Sequence, residues 1–441
     1  MNNQECDPDK GCWLLSTCEI DEISHSCVHD PILQLSLYTG FVYFLIPILL
    51  GTSIMGGLGS GMIKRPILNL LLNYPSSIST QVADCFLFTT STLNSLFLFF
   101  EKHPDHHNLP LINFDISIIL NQTIPLAWSA GAFLQTRSPK FVIYIIQLCF
   151  LMGAIPFLWK YMLAYLQKRI EQDKRENVIL VNQKIKTQED MASETNFDEK
   201  QLTQYQKFYI NDHSKFQIKN LCFIFGSFLV NQTIILMRSN KYNNSIIGLD
   251  KCTLENNLIL LAILGINLTY TFFIYWSKRN EEYYKDIVQY RPNQRFFKDK
   301  KQFFFYYMAG FLAGFITGFL GMGGGLIMVT FLLSQKIIAR EAAATAAFGS
   351  FMISLNSLIQ FILQKTISDE QMIVFFILGI LGVIMISKPS YIFMNRFKVG
   401  YIILIVDIIQ VSINVISILA LIIINSMLYG FDAMLDYSSN C

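Results

Sequence analysis

Gly321-Met-Gly-Gly-Gly-Leu-Ile-Met-Val-Thr330 follows the apolar run Phe303–Leu320 and leads into a small-residue-rich segment, Ala342–Leu363. The same order occurs earlier in the chain. Leu35–Gly56 is followed by Gly57-Leu-Gly-Ser-Gly-Met-Ile-Lys-Arg-Pro66 and then by Ser79–Phe100. Glycines at this density do not serve helix propensity, since each costs about 1 kcal/mol relative to alanine in a helix interior. They permit a break in a helix at membrane depth, where freed amides line a cavity and receive an anion as helix N-termini do. Gly310, Gly314 and Gly318, by contrast, put one smooth face on the helix before the break, and close backbone packing is expected there.

Composition sets the class around this duplication. The 441 residues are 52% hydrophobic and only 15% charged, against about 25% charged in an average soluble domain. The apolar residues cluster into ten runs: Leu35–Gly56, Cys85–Phe100, Leu111–Leu134, Phe141–Leu166, Leu221–Met237, Leu258–Trp276, Phe303–Leu320, Ala343–Leu363, Met372–Ile386 and Tyr401–Ile424. Most approach the ~20 residues that cross a bilayer as a helix. The expected fold class is therefore an all-α polytopic membrane protein of two related repeats with Gly-rich broken helices and about 9–10 spans. Its lipid partner is the bilayer of the plasma membrane or an endomembrane.

The polar segments divide the chain. Residues 1–34 form a Cys-rich tail, 35–167 a first repeat and 168–219 a charged linker, read as a solvated helix followed by a flexible stretch. Residues 220–302 supply connecting helices and a basic loop, 303–425 the second repeat and 426–441 a C-terminal tail. Cys6, Cys12, Cys18 and Cys27 precede the first span and read as two disulfides on an exoplasmic tail. Their spacing is too wide for paired zinc knuckles, and no metal or cofactor site is expected. Four full crossings between tail and linker would put both on one side, yet the positive-inside rule wants the linker in the cytosol. A re-entrant segment in the first half meets both demands and would invert the repeats, the favoured reading, while the short loops at Lys336/Arg340 and Lys388–Lys398 also tolerate parallel repeats.

Candidate residues are few. Uncharged hydroxyls and amides suit an oxyanion: Ser60, Thr80, Ser91 and Asn94 in the first half correspond roughly to Thr317, Thr345, Ser354 and Asn356 in the second. They join Gly57, Gly59, Gly61, Gly321, Gly323, Gly324 and Gly325 as the expected substrate-binding set; helix bridging is the bland reading of the same residues. Ionisable groups within spans are functional candidates, because charge at the bilayer centre is costly. Asp84 is the candidate for proton coupling, with helix capping as its rival role, and Asp407 is expected to make an interior hydrogen bond. His103, His106 and His107, near Asp115, read as a solvated loop.

The duplicated order of these residues resembles the TauE/SafE sulfite and sulfonate exporters. Gly321–Gly325 after a Gly-x₃-Gly helix, then Ala344-Thr345-Ala346 and a Ser/Asn-bearing helix, carry the likeness in the second half. In the first half it is carried by His107-Asn-Leu-Pro-Leu-Ile-Asn-Phe-Asp115, Pro125, Gly131 and Ser138-Pro139, a pattern of the eukaryotic branch. The resemblance runs from about residue 35 to 425. Ser60 stands at a family glycine, Thr330 at a loop-ending proline and Arg340-Glu341 where proline is common. What the resemblance implies is secondary transport of a small sulfur-containing anion such as sulfite, a sulfonate or thiosulfate, with proton coupling. The alternative is a non-transporting scaffold or receptor that binds partners through the tail and linker, and a channel is a weaker third. The sequence has no Walker loop, G-x-S-x-G or H-E-x-x-H, so no enzyme is expected. The near-balanced charge of +2 gives no sign of nucleic-acid binding.

Overall fold

The computed structural model describes residues 16–20, 25–29, 37–55, 57, 68–72, 76–103, 110–182, 217–237, 254–287, 300–335, 337–364, 369–397 and 402–435. A hairpin of β1 (Ser16–Ile20) and β2 (His25–His29) lies in the tail. The first repeat comprises α1 (Leu37–Met55), α2 (Ser76–Phe100), α3 (Phe114–Arg137) and α4 (Lys140–Asn182). The helices α5 (Ile218–Met237) and α6 (Leu254–Ile287) connect it to the second. That repeat comprises α7 (Lys300–Leu320), the short α8 (Gly325–Ser334), α9 (Ala339–Gln364) and a rod of three parts, followed by α12 (Ile402–Leu435). The rod runs from α10 (Asp369–Gly382) through a π turn (Val383–Ser387) into α11 (Lys388–Phe397).

Nine described helices are long and apolar enough to cross a membrane, which establishes a multi-pass integral membrane protein. The tenth expected run, Leu258–Trp276, lies within α6. Phe41, Phe44, Trp159, Phe272, Phe273 and Trp276 are exposed on the bundle's outside, where lipid rather than water satisfies them. The charged linker begins as a helix, as the sequence reading anticipates, because α4 continues through Gln167-Lys-Arg-Ile-Glu-Gln to Asn182.

The packing reveals how the halves relate. The duplication pairs α1 with α7, α2 with α9, α3 with the α10–π–α11 rod and α4 with α12. The principal helix contacts respect this pairing: α3 packs on α7 as the rod packs on α1, while α2 packs on α9 and α4 on α12. Directions follow from residue contacts. Glu101, just past α2, bonds Arg340 in the first turn of α9 (3.2 Å), and His103 lies 3.4 Å from Glu341. Equivalent helices α2 and α9 thus run oppositely. Along the α3–α7 seam, a Cβ on Gly310, Gly314 or Gly318 would meet Leu120, Ile124 or Trp128 in turn, so these helices run parallel. The expected smooth glycine face is a packing face. Gly51 likewise meets Gly382 and Ile386, and Gly382 meets Pro47, so α1 parallels the rod. The repeats are inverted, and α1 and α2 both run toward the same side.

That direction removes the topology conflict. Asp115 at the start of α3 receives bonds from Asn220 at the start of α5 (3.3 Å) and from Lys278 late in α6 (3.1 Å). The ends of α4 and α6 therefore lie on the side where α2 finishes, and α1 starts on the opposite side. Lys278, expected to open a charged loop, is instead a buried helical residue paired with Asp115. Lys278→Met would leave Asp115 without its cation and lower thermal stability by about 3 kcal/mol, the low end of a broken buried pair because Asp115 keeps some solvent contact and its bond from Asn220. Adding Asp115→Leu should recover most of that loss in a thermal melt; no recovery would show that Lys278 acts elsewhere.

Candidate functional site

The inverted repeats cross at α2 and α9. Both helices carry small polar side chains where they meet, and Ala342–Ala347 lets α9 lie close to its neighbours. The Ser91 hydroxyl lies 3.1 Å from that of Ser354. One turn on from Ser91 is Asn94, and two residues on from Ser354 is Asn356; both are buried. The two amides are used alike. Ser387 Oγ donates to Asn94 Oδ1 (3.3 Å), and Gln232 Nε2 donates to Asn356 Oδ1. Asn94 Nδ2 and Asn356 Nδ2 have no hydrogen-bond partner among the described residues, although the Tyr391 hydroxyl is close to Asn94. Ser95 Oγ and Ser350 Oγ are buried and unpaired as well. Each buried unmade bond costs about 1–3 kcal/mol, so four of them within one turn of the serine contact call for partners. Two amide nitrogens and two hydroxyls form an uncharged donor set, which suits an oxyanion and offers little to a cation.

The second glycine-rich break opens beside this crossing. Gly321 has φ +67° and Gly57 has φ +69°, the left-handed conformation that ends α7 and α1 equivalently. Gly324 caps α8 without a side-chain bond, and a Cβ there would fall 2.7 Å from Thr317 Oγ1 and 2.8 Å from Ile353 Cδ1. Ile353 is the neighbour of Ser354. The N-terminal end of α8, buried from Met322 to Leu326, therefore begins at the level of the serine contact. Its first-turn amides add a positive helix end to the donor set.

The family described as "Sulfite exporter TauE/SafE" matches residues 251–423, the segment containing the second break and the α9 half of the crossing. Over that segment the chain is similar to the TauE/SafE family. It is 22% identical over 349 residues to the Arabidopsis thaliana "Sulfite exporter TauE/SafE family protein 2", covering 76% of this chain and 72% of that relative. No solved structure matches.

The bundle gathers only part of the expected residue set. Ser91 and Ser354 meet at the crossing, with Asn94 and Asn356 within one turn of them along their own helices, and the Gly321–Gly325 break adjoins it. Thr317 lies under Gly324, with its hydroxyl donating to Ala313 O (2.6 Å). Thr345 sits elsewhere: its Oγ1 accepts from Asn113 N (3.1 Å), nine residues and about 13 Å along α9 from Ser354. Gly57 packs against Ala343 near the same end. Gly59, Ser60, Gly61, Cys6, Cys12 and the Thr80 side chain lie outside the described residues. Asp84 is half-buried in the early turns of α2 and engaged with neighbours. Cys18 and Cys27 are register partners across the β1–β2 ladder.

Two expectations change. Asp115 pairs with Lys278 and Asn220 instead of lying with histidines, while His103 joins Glu341, which also accepts from Asn113 Nδ2 (2.9 Å). His106 and His107 are outside the described residues. Asp407 makes no interior hydrogen bond: both its oxygens are buried and unpaired among the described residues. Sequence reasoning also missed Ser387 and Gln232, the residues that hold the two asparagines. Ser387 is aimed by the π turn, whose extra residue re-registers the rod. The equivalent stretch of α3, Ile124–Ala127 against Gly314, contains Pro125, a readable sign that the helix ladder is interrupted there.

Proposed function

We propose that the protein is a secondary transporter of small sulfur-containing oxyanions, of the sulfite, sulfonate or thiosulfate type, driven by a proton gradient. The observation that carries this reading is the unpaired donor set at the α2–α9 crossing, placed where two inverted repeats meet. Inverted repeats around a mid-membrane site are the architecture of alternating access, in which one repeat rocks against the other. A tetrahedral or pyramidal oxyanion presents several acceptors, and Asn94, Asn356, Ser95 and Ser350 offer matching donors without a fixed cation that would hold the anion too long. A scaffold has no use for two helix breaks and four unpaired buried donors.

Orientation supports export from the cytosol. Lys168, Arg169, Lys174 and Arg175 in the linker and Lys300 and Lys301 at the start of α7 share one side, while the sequence of the tail that precedes α1 on the other side has one basic residue, Lys10. By the positive-inside rule the linker side is cytosolic and the tail exoplasmic, the side on which disulfides of a Cys-rich tail are stable.

The test is flux of radiolabelled sulfite in liposomes containing the purified full chain, with and without an imposed pH gradient. Saturable, gradient-stimulated uptake, competed by thiosulfate or a sulfonate but not by chloride, is expected. Uptake equal to that of protein-free liposomes, from monodisperse protein, would remove these cargoes.

A further inference from the structure

One polar feature is not absorbed by the anion site. On α12, Asp407, Gln410 and Asn414 share the buried face with Ile403, Val411 and Ile418, while Ile409, Ile413 and Ile416 face outward. The three are 0%, 4% and 0% exposed, and all six of their side-chain oxygen and nitrogen atoms lack a hydrogen-bond partner among the described residues. Nothing about helix packing requires this, since Leu or Ile would fill the same face without unmade bonds.

The setting identifies the missing partner. The face packs on α4, with smaller contacts to α1 and α9. Among the described side chains of these elements, the buried or half-buried titratable and charged groups are Tyr144 and Tyr161 of α4, Tyr43 of α1, and Arg340 and Glu341 at the start of α9, while Tyr38 and Cys149 are exposed. Arg340 and Glu341 are committed to Glu101 and His103, and Lys160 of α4 is exposed. No cation is therefore positioned to neutralise Asp407 among the described residues of these helices. Tyr391 of α11 is the titratable group within electrostatic reach of Asp407, and it is equally within reach of Asn94. The spacing i, i+3, i+7 stretches the three polar side chains along about 10 Å of helix. Such a line is too long to encircle one metal ion and suits a hydrated proton path between amides that both donate and accept.

We propose that Asp407 is the proton-binding site of the transport cycle, reached along Gln410 and Asn414 and joined to the anion site through Tyr391 and Asn94. This rests on the transport reading for its purpose, though not for its chemistry. The carboxylate takes one proton to become a neutral acid and returns it as a proton; no other bond changes. Neutralising Asp407 alters the field at Tyr391 and hence the hydrogen bonding available to Asn94. That gives the anion site two states for which proton and oxyanion have different affinities, the requirement for coupling.

Infrared difference spectroscopy of the reconstituted full chain after a pH step tests the site without needing flux. A protonated-carboxyl band that vanishes in Asp407→Asn and shifts in Asp407→Glu is expected. A wild-type spectrum lacking that band, or the same band in Asp407→Asn, would overturn the proposal. Should Asp407→Asn fail to fold, an Asp407→Glu band identical to wild type in position and titration would overturn it equally. In sulfite flux, Asp407→Asn should lose the pH-gradient stimulation and Asp407→Glu should restore it. Stimulation retained by Asp407→Asn, or replaced in wild type by a sodium requirement, would also overturn it. Wild-type protein with the band but no sulfite flux would sink the cargo and leave the proton site standing.

Discussion

Gly318→Leu should abolish recovery of folded protein from the membrane. A side chain at this position would drive its Cβ into the Trp128 carbonyl, with the Ala132 nitrogen 2.9 Å away. Neither obstacle is a flexible side chain, so α3 and α7 would have to separate along their whole seam. Gly131 faces the same contact from α3, where a Cβ would fall 2.7 Å from the Phe319 nitrogen. The cost should be about 3 kcal/mol or more, at or above the upper range for overpacking. Gly153→Leu is the control: it lies in α4, has nothing within 4 Å of its Cβ position, and should leave yield unchanged. Size-exclusion chromatography of the two variants after identical extraction decides the matter. Monodisperse Gly318→Leu protein at wild-type yield would mean that the seam is looser than described.

The second large effect is functional. Asn94→Asp and Asn356→Asp each keep the oxygen that accepts from Ser387 or Gln232, and each replaces an unpaired amide donor with an acceptor oxygen. Hydrogen bonds to a charged group contribute about 1.5–3 kcal/mol each, so the double variant should lose about a hundredfold or more in sulfite flux. A carboxylate within the anion site adds repulsion in the same direction. Retained folding, monitored by melting temperature, separates this from collapse. Flux within a few-fold of wild type in the folded double variant would place the anion elsewhere.

How much of this is legible in the sequence depends on whether a feature is local. The apolar runs and the duplicated Gly57 and Gly321 breaks are local, and they give the membrane class and the repeat. Gly310, Gly314 and Gly318 announce a packing face, although the partner helix cannot be named from one strand of sequence. Inversion depends on which helix ends adjoin. That is settled by the Glu101–Arg340 and His103–Glu341 contacts, between residues more than two hundred positions apart. Asn94 and Asn356 are visible as repeated Ser/Asn pairs. Their anchors are not, because Gln232 comes from a connecting helix outside the repeats and Ser387 lies in a π turn whose register does not follow from the flanking Gly382 and Pro389 alone. Thr345 and Asp115 mislead for a related reason. A threonine or aspartate near a span end reads alike whether it binds a solute or secures a neighbouring helix.

The central claim is that a sulfur oxyanion passes through the α2–α9 crossing. Its most direct measurement is sulfite flux through wild type and Asn94→Asp/Asn356→Asp, reconstituted side by side at equal density of folded protein. Saturable wild-type flux that nearly vanishes in the double variant is the predicted result. Equal flux through both proteins would contradict the account.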